Sequence, residues 1–355
     1  MGPRTAGEQG LSGGTVRKTE RLPSAGALGA AGMSRAVELL KAGGTVAFPT
    51  ETVYGLGANA LDEAAVAKIF AAKGRPQWDP LIVHVEGQAM LEQAAELTPA
   101  LRGKAEALMR AFWPGPLTLL LPRAAAVPDA VTAGRALVGV RTPAHPIARE
   151  LIRRVGSPLA APSANRFGGP SPTTVEHVLA DLDGQIDAVL DGGPAAVGVE
   201  STVLDLWARA IYRPGAVTAE MIAKVLGEEV RMAAREGGGD GVAPEGLPSP
   251  GMGIRHYAPR ARLVLVDGQR ALIEEIAKHA GAEVGVMLPD GWQFGAAAVQ
   301  FRWGPWENAE ILARLLYFGL RMLDGRGVKV IVCPVPKMDG LGEALRDRLE
   351  KAARS

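Results

Sequence analysis

The fold and function of this chain are constrained most by one stretch, GGTVAFPTETVYGLG at residues 43–57. Its two glycines end a helix-like segment, and residues 45–48 then predict a short buried strand. Pro49 closes that strand because proline cannot donate to a strand ladder. The hydroxyl-rich turn at residues 50–52, followed by glycines that let a ligand come close, is typical of a small-molecule site. A tight hairpin with solvated threonines fits the same residues, so the rest of the chain must decide.

The length and charge of the chain favour a globular protein of two domains. Its 355 residues are more than one hydrophobic core comfortably holds. The 39 basic and 38 acidic residues give a net charge of +1, which supplies no overall field toward nucleic acid or membrane, although a local basic patch stays possible. The single cysteine, Cys333, excludes an internal disulfide and a cysteine-cluster metal site, and it fits a reducing, cytoplasmic setting.

The order of apolar runs and amphipathic helices predicts two α/β domains. Residues 1–33, rich in Gly, Ala, Ser and charge, are predicted to be a mobile N-terminal tail outside the fold. Residues 34–230 alternate short apolar runs with helices, which indicates a first α/β domain. Residues 231–260 have the Gly/Pro-rich composition of a linker, and residues 261–355 restart the pattern as a smaller, doubly wound α/β domain.

The residues that could carry chemistry are cations and hydroxyls at predicted strand and helix ends. The chain has no G-x-x-x-x-G-K-[ST] loop, no G-x-G-x-x-G after a strand, no H-E-x-x-H and no G-x-S-x-G. What remains are Lys73, Arg75, Arg141, Ser163, Asn165, Ser171, Ser201, Thr202 and Arg213. Each alone fits a cap, a turn or a helix-end cation. Together they suit a polyanion such as a nucleoside triphosphate, in a reaction that needs positioning and charge neutralisation.

Ten short motifs in order resemble the YrdC/Sua5 family. They are PTETVYGL at residues 49–56, KGRP at 73–76, PL at 80–81, WPGPLT at 113–118, RTP at 141–143, APSAN at 161–165, GVEST at 198–202, RPG at 213–215, SPGM at 249–252 and HYAP at 256–259. The last two, with the second domain, are similar to the long Sua5 form. The resemblance implies a YrdC-like twisted mixed-sheet domain followed by a smaller Sua5-type α/β domain.

The resemblance also implies an activity, that of an L-threonylcarbamoyladenylate synthase. Such nucleotidyltransferases join L-threonine, bicarbonate and ATP, with Mg²⁺, into threonylcarbamoyl-AMP and pyrophosphate. Other proteins then transfer the threonylcarbamoyl group to adenosine 37 of tRNA. An alternative of another class is an RNA-binding or ribosome-maturation module without this catalysis, which the near-neutral charge does not favour.

Where the motifs match, the resemblance implies a role for individual residues. Threonine is expected at Thr52, His84, Arg141 and Ser201, with Arg141 on its carboxylate. ATP is expected at Lys73, Arg75, Asp79, Leu137, Ala161, Ser163, Asn165, Ser171 and Arg213, of which Lys73 and Arg75 are the expected catalytic cations. The lid is expected to include Met252, Ile254, Arg255 and Tyr257. No protein ligand is assigned to Mg²⁺, which is expected to bind through the ATP phosphates.

Two positions depart from the family pattern. Asp79 stands where the family usually has asparagine, and a carboxylate beside a triphosphate would repel it unless it acts through magnesium. Ile254 stands where the family often has tyrosine, so the linker lacks that aromatic hydroxyl. Closure of a lid would then rely on packing and on Arg255 or Tyr257.

Overall fold

Two β-sheets organise the residues that the computed structural model describes, which are 18–24, 26, 29–233, 256–279, 283–293 and 298–354. The predicted lid residues Met252, Ile254 and Arg255 lie outside this set. Within it, no helix is long and apolar enough to cross a membrane.

The first sheet has eleven strands and mixes parallel with antiparallel pairs. The strands are β1 (Glu20–Pro23), β2 (Val46–Phe48), β3 (Gly55–Asn59), β4 (Ile82–His84), β5 (Leu117–Pro122), β6 (Leu137–Arg141), β7 (Leu159–Ala160), β8 (Ala188–Asp191), β9 (Thr202–Asp205), β10 (Ala210–Arg213) and β11 (Arg231–Met232). Their order across the sheet is β1-β8-β2-β3-β7-β4-β6-β5-β9-β10-β11. The helices of this part are α1 (Gly29–Lys41), α2 (Glu63–Lys73), α3 (Gln88–Ala94), α4 (Pro99–Phe112), α5 (Asp129–Thr132), α6 (Pro146–Val155), α7 (Val175–Leu182) and α8 (Ala219–Leu226).

The prediction that all of residues 1–33 lie outside the fold is wrong for strand β1 and for the start of helix α1. Strand β1 pairs in parallel with β8, with Glu20 opposite Ala188, and helix α1 begins at Gly29. The four residues of β1 bury only Leu22, which is too short a pattern for hydrophobic periodicity to detect. The open edge of β8 supplies the pairing that the local sequence does not announce.

Two of the predicted site cations lie at the end of helix α2, and both ends of this helix are well defined. Asp62 caps its first turn and accepts from the Ala64 and Ala65 amides. Gly74 ends it in the left-handed region at φ 61°, a conformation that glycine adopts without steric cost. The last helical residue is therefore Lys73, and Arg75 begins the exit from the turn.

The second sheet consists of four parallel strands with the order β12-β15-β13-β14. They are β12 (Arg262–Val266), β13 (Val284–Pro289), β14 (Val299–Gly304) and β15 (Val330–Pro334), with helices α9 (Gly268–Ala277), α10 (Ala309–Gly325) and α11 (Leu341–Ala352). Parallel strands joined through helices agree with the α/β arrangement predicted for this half of the chain.

One hydrophobic cluster joins the two sheets. Val53 and Val199, from loops of the first part, are buried together with Ala313 and Tyr317 of helix α10. Gly198, at φ 84°, lies so close to this helix that a Cβ there would come within 2.4 Å of the Ala313 carbonyl oxygen. The loops that lead to Thr52 and Ser201 are therefore packed against the second domain rather than free in solvent.

Candidate active site

A cavity in the first domain brings most of the predicted site residues together. The space inside it, including the part that opens to solvent, is about 530 Å³. The lining residues are Thr50, Thr52, Val53, Gly55, Arg75, Ile82, His84, Arg141, Ala161, Pro162, Ser163, Glu200, Ser201, Arg213, His256 and Tyr257.

The turn after β2 is a hairpin connection, but its threonines are buried rather than solvated. Strands β2 and β3 pair antiparallel, with Phe48 opposite Gly55. Thr50 and Thr52 are each 2% exposed, and their hydroxyl oxygens lie 2.8 Å apart. The Thr50 hydroxyl also donates to the Val53 carbonyl at 2.6 Å. This local network orders the turn and leaves the Thr52 hydroxyl at the cavity.

Strand topology places three of the polar side chains at one edge of the sheet. Strands β4 and β6 are parallel and their register pairs His84 with Arg141, so both strands end together. Strand β5 runs antiparallel to β6 and parallel to β9, so Ser201, just before β9, lies at the same edge. The Arg141 guanidinium donates to the Thr52 hydroxyl at 3.1 Å and lies 3.7 Å from Glu51. Two of the predicted threonine-binding residues are thus in direct contact.

His84 is held as a neutral imidazole. Burial lowers its pKa well below the usual value, and the neighbouring Arg141 cation lowers the pKa further. The ring packs edge-on to Phe48, with 6.2 Å between ring centroids. A neutral ring at this position can accept a hydrogen bond from a bound ligand.

Ser201 and Arg213 form the second polar wall. The Arg213 guanidinium donates through Nη2 to the Ser201 hydroxyl at 3.1 Å and through Nε to the Ser201 carbonyl at 3.0 Å. Thr118 lies within 2.8 Å of the same hydroxyl. Strand β10 runs antiparallel to β9, which brings its last residue back beside the start of β9. The predicted threonine and ATP contacts therefore meet at this pair.

The expected catalytic cations differ in their access to the cavity. Arg75 lines it, and its guanidinium bonds to the Asp79 and Pro80 carbonyls at 3.0 and 2.7 Å. Lys73 is buried behind the wall, where its ammonium donates to the Ser163 and Asn165 carbonyls. Burial lowers the pKa of Lys73 well below its usual value, and the nearby Arg75 contributes.

Several predicted ATP residues lie next to the cavity but do not line it. Asp79 forms a buried ion pair with Arg75, 3.0 Å between Nη2 and Oδ2. The Ser171 hydroxyl donates to the Glu200 carboxylate, and the Asn165 amide donates to the Arg166 and Gly169 carbonyls at 2.7 and 2.9 Å. Leu137 packs in a small apolar cluster with Ile82, Leu120 and Val203. In this structure Asp79, Asn165 and Ser171 support the wall and bond to protein partners.

Residues His256 and Tyr257 return from the linker and close one side of the cavity. Both are buried, at 5% and 1% exposed, and Tyr257 adopts φ 64°, the left-handed region that non-glycine residues rarely occupy. His256 stacks edge-on against Phe167 with ring centroids 5.6 Å apart. Burial raises the pKa of Tyr257 beyond its usual range, so its hydroxyl stays protonated.

Several lining residues were not predicted as ligand contacts from the sequence, and the polar ones are Thr50, Glu200 and His256. Glu200 belongs to the motif GVEST and Thr50 to PTETVYGL, in which Ser201 and Thr52 are the predicted ligand contacts. His256 was recognised only as part of a motif, and its place in the cavity wall depends on the return of the linker. Position within a motif was the available signal for all three.

The expected magnesium ion finds no protein cluster to bind in the described part of the chain. There, no group of three or more His, Cys, Asp or Glu side chains lies close enough together to hold a metal ion. Asp79, the carboxylate raised as a possible magnesium partner, is instead paired with Arg75.

Comparison with known proteins covers nearly the whole chain. A family model for Sua5, YciO and YrdC proteins, described as "Telomere recombination", matches residues 38–215, and one described as "Threonylcarbamoyl-AMP synthase, C-terminal domain" matches residues 217–354. A Pyrococcus abyssi protein named threonylcarbamoyl-AMP synthase is 44% identical and spans 90% of this chain and 93% of its own length. A Bacillus subtilis protein of the same name is 43% identical, with 90% and 92% covered.

A solved structure gives the same result for the fold. The crystal structure of P. abyssi Sua5 complexed with L-threonine superposes with a TM-score of 0.84 at 41% identity, covering 94% of this chain and 97% of that one. Both family models, the two sequence relatives and the structure agree, and the resemblance inferred from the motifs is confirmed. This chain belongs to the Sua5/YrdC family, in its two-domain form.

Proposed function

We propose that this protein is an L-threonylcarbamoyladenylate synthase, a nucleotidyltransferase that converts L-threonine, bicarbonate and ATP into threonylcarbamoyl-AMP and pyrophosphate. The observation that carries the proposal is the cavity itself. It is lined by Thr52, Arg141 and Ser201 and also by the cations Arg75 and Arg213. An amino acid and a triphosphate bound to these groups would therefore lie next to each other.

The threonine substrate binds at the Arg141 side of the cavity. Arg141 is a buried cation with a forked donor geometry that matches a carboxylate. The Thr52 and Ser201 hydroxyls and the neutral His84 ring can bond to the amino and hydroxyl groups of the ligand. Two of these groups, Arg141 and Thr52, already contact each other, so the pocket is organised before threonine enters.

The triphosphate binds across Arg75, Ser163 and Arg213. Both arginines and the serine line the cavity, and the backbone at Ala161 lines it as well, where it can approach the adenine or ribose. Lys73, Asn165 and Ser171 support this wall from behind, with Lys73 holding the loop that carries Ser163. Leu137 contributes through the apolar cluster beneath Ile82.

The reaction needs positioning and charge neutralisation rather than a protein nucleophile. The amine of threonine and bicarbonate give a carbamate and water. A carbamate oxygen then forms a bond to the α-phosphorus of ATP while the bond to the bridging oxygen of pyrophosphate breaks. Arg75 and Arg213 offset the negative charge that develops on the departing pyrophosphate. A magnesium ion bound through the phosphates would supply further charge neutralisation.

The returning linker shelters the product. Tyr257 lines the cavity together with His256, and this supports a role for the end of the linker in covering the site. Met252, Ile254 and Arg255 are assigned to the same lid by motif alone. An acyl-adenylate hydrolyses in water, so a cover over this site would preserve it. The product would pass to the machinery that modifies adenosine 37 of tRNA, and we infer a cytoplasmic location for the reaction.

Pyrophosphate release tests the proposal. The purified protein should release pyrophosphate from ATP only when both L-threonine and bicarbonate are present, and mass spectrometry should detect threonylcarbamoyl-AMP. L-serine in place of L-threonine is the matched control. Release that ignores threonine, or that serine supports equally well, would refute the assignment. An RNA-binding module without catalysis would release none.

A further inference from the structure

The cavity wall beside Ser201 is completed by the second domain. Glu200, which precedes Ser201, is buried, and its carboxylate accepts from the Ser171 hydroxyl. The hydroxyl of Tyr317 in α10 lies 3.1 Å from both carboxylate oxygens, and Nε of Arg348 in α11 lies 2.7 Å from Oε2. Two of the groups that hold this carboxylate therefore come from helices 117 and 148 residues further along the chain.

Arg348 reaches several groups at once from a fully buried position. Its side chain is 0% exposed. Besides Glu200, its guanidinium donates through Nη2 to the Pro214 carbonyl at 2.9 Å and through Nη1 to Asp347 at 2.7 Å. The guanidinium carbon also lies 5.3 Å from the centre of the Tyr257 ring. Each of the three guanidinium nitrogens thus donates to a specific partner, and one face of the group lies over an aromatic ring.

Arg348 lies among charges of both signs. Glu200 and Asp347 are negative, and Lys351 donates to Asp347 at 2.9 Å. Burial alone would raise the pKa of Glu200, but Arg348 and the nearby Arg213 outweigh it and hold that pKa below its usual value. Glu200 is therefore ionised at neutral pH, and the network is satisfied only while Arg348 is in place.

The two contacts of Arg348 with the first domain bracket the Ser201–Arg213 pair. Glu200 is the residue before Ser201, and Pro214 is the residue after Arg213. The two segments meet backbone to backbone, since a Cβ at Gly215 would come within 2.4 Å of the Thr202 amide nitrogen. One guanidinium therefore ties together both segments that form this wall of the cavity.

We propose that Arg348 is a positioning residue of the synthase site: from the terminal helix of the second domain it sets the distance between Ser201 and Arg213, and so the binding of threonine and the triphosphate. The inference rests on the proposed function above. It gives the second domain a direct part in the site, in addition to its packing against Val53 and Val199. Arg348 itself does not line the cavity, so it acts through Glu200 and Pro214.

If Arg348 had a purely structural role, its loss should have the same effects as loss of a second arginine in the same interface. Arg321 of α10 is 12% exposed in its side chain and bonds across the interface to Asp181, at 2.6 Å, and to the Pro170 carbonyl. Like Arg348 it is an interdomain cation, but it contacts neither Glu200 nor Pro214. Loss of either arginine should destabilise the interface, whereas only loss of Arg348 should disturb the Ser201–Arg213 wall.

The test compares full-length Arg348→Met, Arg348→Lys and Arg321→Met with the wild type. For each protein, steady-state pyrophosphate release gives kcat and the KM values for threonine and ATP, calorimetric titration gives the Kd for L-threonine, and thermal unfolding gives the Tm. Assays run well below every Tm. We expect Arg348→Met to raise the Kd and KM for threonine on the order of 10- to 100-fold, the scale of a small misplacement of binding groups. Arg321→Met should stay within about twofold.

Arg348→Lys keeps the positive charge but lacks a rigid fork, so it should not hold Glu200 and Pro214 together. We expect it to recover most of the lost Tm and little of the lost threonine affinity. It also provides the decisive measurement if Arg348→Met does not fold. Wild-type threonine affinity and kinetics in the folded Arg348 variants would overturn the inference, as would losses in Arg321→Met that match those of Arg348→Met. Failure of the proposed function itself would appear in the wild type, as absent threonine-dependent pyrophosphate release.

Discussion

Arg75 and Asp79 form a buried ion pair in which Nη2 of the arginine lies 3.0 Å from Oδ2 of the aspartate. The side chains are 3% and 1% exposed, so water screens neither charge appreciably. Asp79 thus opposes the charge of a cation that lines the cavity. The carboxylate that breaks the family pattern is a partner of Arg75, which explains how it can lie near a triphosphate site.

Replacing Asp79 by asparagine should tighten ATP binding. The amide oxygen can still accept from Arg75, but it no longer offsets the cation's charge. We expect the KM for ATP to fall by a factor of up to about ten, on the order of 1 kcal/mol. ATP titrations at several magnesium concentrations measure this change. Asp79→Leu serves as a stability control, and we expect it to lower the free energy of unfolding by about 3–5 kcal/mol. A higher KM together with a greater magnesium requirement would instead place the carboxylate on the metal.

Replacing Arg75 by alanine should impair the chemical step. Arg75 is the cation proposed to offset charge on the departing pyrophosphate, and its loss should cost about 2–4 kcal/mol of transition-state stabilisation in kcat/KM. Arg102→Ala, on the surface of helix α4, is the matched control because that side chain is half exposed and contacts only Glu106 of its own helix and the Leu97 carbonyl just before it. Wild-type kinetics for Arg75→Ala would make it a helix-end cation and move the site elsewhere.

Replacing Arg141 by alanine should weaken threonine binding more than ATP binding. The change removes a charge-assisted partner of the substrate carboxylate, about 2 kcal/mol or roughly 30-fold in the KM for threonine. It also leaves Glu51 without the cation that now lies 3.7 Å away. Arg141→Lys should recover part of the lost threonine affinity, because lysine restores the positive charge but not the two-pronged donor geometry of the guanidinium. Equal effects on the KM values for threonine and ATP would contradict this assignment.

If the linker acts as a lid, the ring of Tyr257 and its hydroxyl should contribute differently to closure. The ring lies 5.8 Å from that of Tyr317 and packs under the Arg348 guanidinium. If packing closes the site, Tyr257→Phe should keep the lifetime of threonylcarbamoyl-AMP near that of the wild type, whereas Tyr257→Ala should shorten it several-fold. The ratio of intact product to released pyrophosphate over time measures this. Equal lifetimes in all three proteins would reduce residues 231–260 to a tether.

Acid should destabilise the contact between His177 and the second domain. The His177 ring lies 5.4 Å from that of Phe318, and burial, with Arg321 nearby, lowers the pKa of His177 from 6.5 to about 4. The unfolded chain therefore binds a proton below about pH 6.5 that the folded chain takes up only near pH 4. Stability from the neutral ring is complete above pH 6.5 and is lost as pH falls toward 4, by about 2–3 kcal/mol at pH 4.5.

Chemical denaturation of the wild type and of His177→Gln at pH 7 and pH 4.5 measures this contribution. The variant should show a smaller loss of unfolding free energy between the two pH values, because glutamine does not titrate in this range. An equal loss in both proteins would show that other groups set the acid sensitivity.

The sequence by itself determined the family and the kinds of group in the site. Short local patterns carry that information: Pro49 after an apolar run, the Asp62 cap and Gly74 stop around α2, and arginines at strand ends. These features depend on neighbours a few residues away, so they can be read from the chain alone. The two-domain α/β architecture followed from the same patterns, apart from the short strands that have too few residues to show a period.

Only the tertiary structure decided which side chains face the cavity and which support it. Asp79 and Ser171 look like ligand residues in their motifs, yet they bond to Arg75 and Glu200. Strand β1 exists because the edge of β8 accepts it, and Arg348 reaches Glu200 across 148 residues of chain. Such contacts are set by long-range packing and by the need to pair every buried charge, and neither leaves a periodic signal in the sequence.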